Sequence, residues 1–118
     1  MLLGTLVSSF LSACENKQLS DHTIRAYRQD LNDFTAFAAR RQADGGEEGA
    51  AFHAKPTLEA WITEMRQRRL APATIKRRIA CMKVFFRWLE QEEVVMENPF
   101  HRYRPTIRWR KLNSANSA

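Results

Sequence analysis

Positively charged side chains dominate the stretch from residue 66 to residue 87, which contains eight Lys and Arg and no Asp or Glu. Arginine can bind phosphate through two parallel hydrogen bonds, and lysine binds it as a point charge. A solvated helix normally mixes both charges, so a run of one sign this long favours an anionic partner. The net charge of +6 and the pI near 9.9 likewise favour nucleic acid or an acidic surface as the partner.

A hydroxyl group and a cation recur side by side at two places in the chain. Residues 22–25 read His-Thr-Ile-Arg and residues 73–76 read Ala-Thr-Ile-Lys, in each case where a helix is predicted to begin. The free N–H groups at a helix N-terminus and the positive end of its dipole form a ready site for phosphate. Capping and core anchoring are the simpler explanation of one such motif. Two copies on basic helices make phosphate contact an equal alternative.

Four amphipathic helices are predicted to position these groups, because apolar residues recur every three or four positions. Their predicted bounds are about 2–17, Ser20 or Asp21 to about Arg41, Thr57 onward, and about 73–91. Ser20 or Asp21 can cap the second helix, and Pro72 suits the first turn of the fourth. Asn98 precedes a proline and therefore closes the fourth segment.

Each predicted helix has one apolar face. In a chain of this length these faces are expected to pack into a single core. The residues predicted to face it are Ile24, Tyr27, Leu31, Phe34, Phe37 and Ala38 in the second helix, Leu58, Trp61, Ile62 and Met65 in the third, and Ile75, Ile79, Met82, Phe86 and Leu89 in the fourth. Residues 43–55 are polar and rich in glycine, which predicts a loop. No strand pattern competes, so we expect a compact all-α bundle over residues 1–105 and a flexible basic tail over 106–118.

The N-terminal segment and the cysteines bear on where the protein works. Residues 11–14, Leu-Ser-Ala-Cys, resemble a lipoprotein cleavage box, but no Lys or Arg precedes the apolar run as a secretory signal requires. The run has a helical period and is too short to span a bilayer, so an amphipathic helix of a soluble, cytoplasmic protein is expected. Cys14 and Cys81 suit neither a disulfide framework nor a zinc site and are interpreted as buried apolar residues.

Two separated stretches resemble the N-terminal core-binding domain of the tyrosine recombinases, the phage integrases and Xer-type enzymes. Residues 19–34, LSDHTIRAYRQDLNDF, resemble its opening signature. The closing signature is matched by residues 70–75 (LAPATI), 85–89 (FFRWL) and 97–100 (ENPF). The resemblance implies a SAM-like four-helix domain that forms half of a C-shaped clamp on double-stranded DNA, with its second and fourth helices at adjacent grooves. It also implies, as partners, the catalytic domain of the same enzyme and other recombinase protomers.

Carried over by position, the resemblance implies DNA contacts at the start of the second helix and along the fourth. With neighbouring cations, the predicted DNA-binding residues are Thr23, Arg25, Arg28, Thr74, Lys76, Arg77, Arg78 and Lys83. Arg can contact phosphate or guanine with two bonds, while Thr and Lys mostly fix the protein on the backbone. A solvated charged face is the alternative for Arg77 and Arg78. About four to six phosphates are within reach of the set, which predicts strongly salt-dependent binding.

The catalytic set of the family, an Arg, Lys, His and Tyr, belongs to a separate C-terminal domain, so no catalytic residue is expected here. His101-Arg102-Tyr103-Arg104 imitates part of that set but follows the terminating proline directly, where the family has its interdomain linker. No cofactor and no metal site are predicted, since His22 and His53 lack partners at metal spacing. Trp61 and Trp88 are expected in the core. The helix acids Asp30, Asp33, Glu90 and Glu92 are expected to be solvated.

Three functions remain open at this point. The resemblance favours a DNA-binding module of a site-specific recombinase that is not catalytic alone. A helical protein-interaction domain whose basic face meets an acidic partner is the second. A small complete nuclease or recombinase using His101, Tyr103 and Arg104 is the third, and the missing catalytic domain argues against it.

Overall fold

Four α-helices and a short 3-10 turn make up the described part of the chain. The computed structural model describes residues 3–43, 54–94, 98–101 and 103–105. The helices are α1 (Leu3–Asn16), α2 (Asp21–Ala43), α3 (Ala54–Gln67) and α4 (Pro72–Gln91), and the 3-10 turn covers Pro99–His101. No strand occurs among these residues. The predicted all-α fold of four helices is confirmed.

The predicted helix bounds agree with the structure to within about two residues, except at the start of α3. That helix begins at Ala54 rather than at Thr57, so Pro56 lies in its first turn. A proline is tolerated there because the N–H that it lacks has no partner within the helix. Most of the loop predicted at 43–55 and all of the tail predicted at 106–118 lie outside the described residues.

The apolar N-terminal stretch forms an ordinary amphipathic helix of the bundle, as its period predicts. Val7, Phe10, Leu11 and Cys14 of α1 are buried, while the serines at 8, 9 and 12 are exposed. Among the helices that the structure describes, none combines the length and the apolar character needed to cross a membrane.

Helix α2 lies at the centre of the bundle and packs against α1, α3 and α4. Aromatic rings fill the space between the helices in edge-to-face pairs, including Phe10 against Phe85 at 5.3 Å and Phe34 against Trp61 at 5.1 Å between centroids. Such pairs contribute about 0.5–1.5 kcal/mol beyond the burial of their area. Trp61 is fully buried and Trp88 is half-buried against Phe10, so both belong to the core as predicted.

The two helices that carry the repeated Thr-Ile motif begin differently. Ser20 caps α2, because its hydroxyl oxygen accepts a hydrogen bond from the Thr23 N–H at 3.1 Å. At α4 the capping position is Ala71, which offers no side-chain acceptor, and Pro72 follows it. The first backbone bond of α4 runs from the Ile75 N–H to the Ala71 carbonyl. The N–H groups of Ala73 and Thr74 therefore point out of an uncapped helix start.

Helices α1, α3 and α4 end in the same way without glycine. In each, a residue with a positive φ follows the helix: Gln18 at 62°, Arg69 at 63° and Glu93 at 61°. The next residue then donates its N–H back to the carbonyl five positions earlier, as Leu19 does to Cys14 at 3.2 Å. Leu70 and Val94 make the equivalent bonds to Met65 and Leu89. This is the Schellman motif.

Because an L side chain is strained at these positions, Gln18→Gly is expected to raise the free energy of unfolding by about 0.5–1 kcal/mol. The left-handed conformation costs roughly 1–2 kcal/mol for a non-glycine residue, and the extra freedom of glycine in the unfolded chain offsets about half of the gain. Urea denaturation monitored by circular dichroism measures the change. Ser8→Gly, at an exposed position inside the same helix, should instead destabilise. A Gln18→Gly variant less stable than the parent would contradict this account.

Candidate nucleic-acid interface

The outer face of α4 is a basic row with small residues between the cations. Lys76, Lys83 and Arg87 are exposed, and so are Ala73 and Ala80. Spacings of three, four and seven place these residues on one side of the helix. The row extends for about 20 Å along the axis, at 1.5 Å per residue. A flat anionic surface can approach such a row closely, because the alanines leave room and the cations supply the attraction.

A second exposed basic segment lies at the start of α2. Arg25 and Arg28 are exposed and make no ion pair within the described part of the chain. Thr23 is half-buried, and its hydroxyl accepts a hydrogen bond from Ser20 at 3.0 Å. Thr23 therefore takes part in the cap of α2, and Thr74 lies half-buried in the first turn of α4. Because α2 and α4 pack against each other, the two basic segments are held in one fixed arrangement.

Arg77 lies where α4 crosses α2 and is bound to a buried carboxylate. Its Nη2 donates to Asp30 Oδ1 at 2.6 Å and its Nε to Asp30 Oδ2 at 3.3 Å. The Arg77 side chain keeps 51% of its exposure, while that of Asp30 keeps 1%. The hydrogen bond to Asp30 raises the pKa of Arg77 although burial opposes it. The guanidinium is thus charged, oriented and open to solvent on its outer side.

Arg78 differs from the other predicted contacts because its side chain points into the bundle. Its Nη1 pairs with Asp33 Oδ2 at 3.0 Å and its Nε lies 3.5 Å from Asp30 Oδ1. The side chain is only 11% exposed, and its Nε makes no hydrogen bond. Two acids of α2 turned toward the core require a cation beside them, which accounts for this position.

The prediction that the acids of α2 are solvated is wrong for Asp30, which is fully buried. Asp33 is partly buried and accepts hydrogen bonds from Trp61 Nε1 at 2.9 Å and from Arg68 Nη1 at 3.5 Å. Glu64 of α3 joins the set by binding Arg68 at 3.3 Å and Arg40 at 3.0 Å. We call the seven charged residues the acid–arginine network: Asp30, Asp33, Arg40, Glu64, Arg68, Arg77 and Arg78.

Because of this network, the long basic run does not form an entirely exposed basic surface. Arg68, Arg77 and Arg78 pair with acids of α2 and α3, so part of the charge that the sequence places in one run is neutralised in the fold. One feature of the sequence could have indicated the acid–arginine network. Asp30 lies on the same helical face as Tyr27, Leu31 and Phe34, in a stripe that is otherwise apolar. An acid in such a stripe indicates a buried partner of opposite charge.

The segment after α4 folds back onto the bundle. The ring of Phe100 lies 6.2 Å from Phe86 and 6.4 Å from Tyr103, and the ammonium of Lys83 lies 6.0 Å from the Phe100 centroid. His101 Nε2 lies 3.1 Å from Glu90 Oε2. Lys83, a predicted DNA contact, therefore lies where the outer row of α4 meets the segment that packs back onto the bundle.

The tyrosine of the His-Arg-Tyr-Arg motif packs against this apolar cluster. Burial, followed by the nearby Glu59 carboxylate, raises the pKa of Tyr103, although Arg66 acts in the opposite direction. A phenol held protonated and stacked on Phe100 is a poor nucleophile. Its place in the fold supports a packing role.

The cysteines are buried free thiols, as predicted. Burial raises the pKa of Cys81 to about 12, and the Asp30 carboxylate contributes in the same direction. Its thiol therefore stays protonated and unreactive at neutral pH. Over the described ranges, no three His, Cys, Asp or Glu side chains cluster in a way that could hold a metal ion.

Comparisons with known proteins agree with this architecture. The profile of the family "phage integrase, N-terminal SAM-like domain" matches residues 7–93. A tyrosine recombinase of Agathobacter rectalis is 33% identical over 101 residues, which cover 85% of this chain and 30% of the relative. The tyrosine recombinase XerC of Listeria innocua is 30% identical over 82% of this chain and 31% of its own length, and that of Roseiflexus castenholzii is 33% identical over 81% and 30%.

The chain thus spans about a third of the length of these relatives. No solved structure matches it significantly. The profile covers all or part of each of the four helices, the opening signature and the closing signature up to residue 89, so the chain belongs to the phage integrase N-terminal SAM-like domain family.

Proposed function

We propose that this chain is a core-binding domain that holds double-stranded DNA for a site-specific recombinase or integrase, and that it does not cleave DNA itself. The observation that carries the proposal is the basic outer row of α4, with Lys76, Lys83 and Arg87 exposed beside an uncapped helix start. Membership of the family supports it. Recombinases act on DNA inside the cell, so we expect this domain to work in the cytoplasm.

The interface we propose consists of the exposed cations Arg25, Arg28, Lys76, Lys83 and Arg87, together with Thr23, Thr74 and Arg77. Arg78 supports this surface from beneath, because its guanidinium is already directed at Asp30 and Asp33. In a longer recombinase the same surface would work with a catalytic domain and with neighbouring protomers. The segment that packs as Phe100 and Tyr103 onto the bundle would lead toward that domain.

Binding to duplex DNA is expected to be weak and steeply dependent on salt. Each neutralised phosphate contributes roughly −0.9 to the slope of log affinity against log salt concentration, so five exposed cations predict a slope of about −4 to −5. One half of a clamp should bind with a dissociation constant on the order of micromolar or weaker. Fluorescence anisotropy of a labelled duplex over a series of salt concentrations measures both quantities.

A pair of matched variants tests the location of the interface. Arg25→Ala and Arg40→Ala each remove one positive charge from α2, but Arg40 lies near its other end and pairs with Glu64 at 3.0 Å. Arg25→Ala should flatten the slope by about one unit and weaken binding to all duplexes, whereas Arg40→Ala should leave the slope unchanged. Equal effects of both variants, or a slope near zero for the parent, would refute the proposed interface.

The same samples separate the competing functions. Heparin and unlabelled duplex DNA are compared as competitors at equal concentrations of negative charge. If the basic face serves an acidic protein, much less heparin than unlabelled duplex should be needed to displace the labelled duplex. Incubation with supercoiled plasmid should give no nicked product and no covalent protein–DNA adduct. An adduct that is lost in Tyr103→Phe would show that the chain is catalytic.

A further inference from the structure

The pairing of Arg77 with Asp30 has an unusual distribution of exposure. The carboxylate keeps 1% of its side-chain exposure, while the arginine that it binds keeps 51%. A solvated ion pair exposes both partners and contributes little, typically 0–1 kcal/mol. Here the acid is buried beneath the surface, and the arginine that binds it is exposed above it, at the contact between α2 and α4. The acid therefore determines where an exposed guanidinium points.

The bonds that Arg77 makes leave a defined set of donors open. Its Nε and Nη2 face the two oxygens of Asp30 at 3.3 and 2.6 Å. A guanidinium carries five N–H donors in a planar fork, so both N–H groups of Nη1 and one of Nη2 remain. One N–H of Nη1 and the free N–H of Nη2 form the end of the fork, an edge that can make paired hydrogen bonds with guanine O6 and N7 or with phosphate.

We infer that Asp30 is a positioning residue that holds the outer edge of Arg77 in place to read a base edge, guanine by preference, in the DNA bound by this face. The inference deepens the proposed function and rests on it. Base reading is favoured over phosphate contact for two reasons. A buried negative charge beside Arg77 weakens its attraction for phosphate, and phosphate attraction tolerates a mobile side chain, whereas a bidentate base contact depends on orientation.

The rest of the network fixes Asp30 itself. Arg78 lies on the inner side of the carboxylate, with Nε 3.5 Å from Oδ1, and binds Asp33 at 3.0 Å with its Nη1. Asp30 thus has a cation on each side, one buried and one exposed. The raised pKa of Arg77, caused first by its hydrogen bond to Asp30, is consistent with a guanidinium that stays charged in this position.

The experiment is a selection from a duplex library in which roughly one helical turn, about 10 base pairs, is randomised. The bound fractions of the parent chain, Asp30→Asn, Arg77→Lys and the control Asp33→Asn are sequenced and compared. Asp33 belongs to the same network but does not touch Arg77, so its change controls for a loss of stability. Salt titrations of each variant on the unselected pool accompany the selection, and circular dichroism confirms that each variant is folded.

In the parent we expect enrichment of guanine at one position, and in Asp30→Asn we expect that enrichment to fall roughly 5- to 100-fold, the discrimination provided by one bidentate contact. Affinity for the unselected pool should stay equal or rise, because a negative charge has been removed. A residue with a merely structural role would weaken both together. Arg77→Lys keeps the charge and loses the fork, so it should lose the same preference, and it decides the question if Asp30→Asn does not fold.

The experiment distinguishes failure of the proposed function from failure of the role inferred for Asp30. If the parent does not bind duplex DNA, the proposed function fails and the inference falls with it. If the parent binds without base preference, or if folded Asp30→Asn and Arg77→Lys keep the parent's enrichment within about two-fold, the inference is overturned while the proposed function stands. Loss of the preference in Asp33→Asn to the same extent would likewise overturn the role assigned to Asp30.

Discussion

Replacing Arg78 with alanine is expected to lower the free energy of unfolding by about 3–5 kcal/mol, the cost of removing one partner from a buried ion pair. Arg78 is the cation on the inner side of both Asp30 and Asp33. Without Arg78, Asp30 keeps Arg77 and Asp33 keeps Arg68, but the buried cation beside both acids is lost, and these acids lie three residues apart on one helix face. A small domain has only about 5–15 kcal/mol of stability in total, so this variant should be close to unfolding.

Arg25→Ala is the matched control, because it removes the same charge from an exposed helix position. Its effect on stability should stay within about 0.5 kcal/mol, while its effect on DNA affinity should be clear. Urea denaturation of the three chains, followed by circular dichroism, compares them directly. Equal stability of Arg78→Ala and Arg25→Ala would show that Arg78 is not needed to compensate the two acids.

Trp61→Ala is expected to lower the free energy of unfolding by about 3–5 kcal/mol, as much as Arg78→Ala. The indole is completely buried and packs edge-to-face on Phe34 at 5.1 Å between centroids. Its Nε1–H donates to Asp33 at 2.9 Å, so alanine also takes away a donor from that carboxylate. Cavity formation and the lost hydrogen bond act in the same direction.

Two further variants separate the contributions of Trp61. Trp61→Phe keeps most of the apolar volume and loses the N–H, so its cost should approach the roughly 1.5–3 kcal/mol of one hydrogen bond to a charged group. Trp88→Ala removes a half-buried indole without a hydrogen bond to the network and should cost clearly less than Trp61→Ala. Denaturant midpoints measure all three. A Trp88→Ala loss that equals the Trp61→Ala loss would contradict the special position of Trp61.

Local signals in the sequence were enough to predict the helices. The stripe of Ile75, Ile79, Met82, Phe86 and Leu89 identified the buried face of α4, and all five residues are buried. Ser20 and Pro72 marked the starts of α2 and α4 correctly. Capping and periodicity depend on neighbours within about one helical turn, so they can be recognised without knowledge of the tertiary structure.

The partners of the cations could not be predicted in the same way. Arg77 and Asp30 are 47 positions apart, and their contact exists only because α4 crosses α2. A charge run predicts an exposed basic surface only when no acid from another helix reaches it. The ends of three helices were also hard to predict. Gln18, Arg69 and Glu93 take the left-handed conformation there, for which glycine is the usual sequence signal.

The buried charges also constrain how this domain can change over evolution. Loss of Arg78 alone removes the buried cation that both acids share, and loss of Asp30 or Asp33 alone leaves this buried arginine with one acid instead of two. Each single step would cost a large part of the stability, although joint replacement of the set by apolar residues of similar volume can be neutral. Relatives should therefore keep Asp30, Asp33 and Arg78 together or lose them together, while Arg25 and Arg28 on the open face of α2 are free to vary one at a time and so to adapt the domain to new partners.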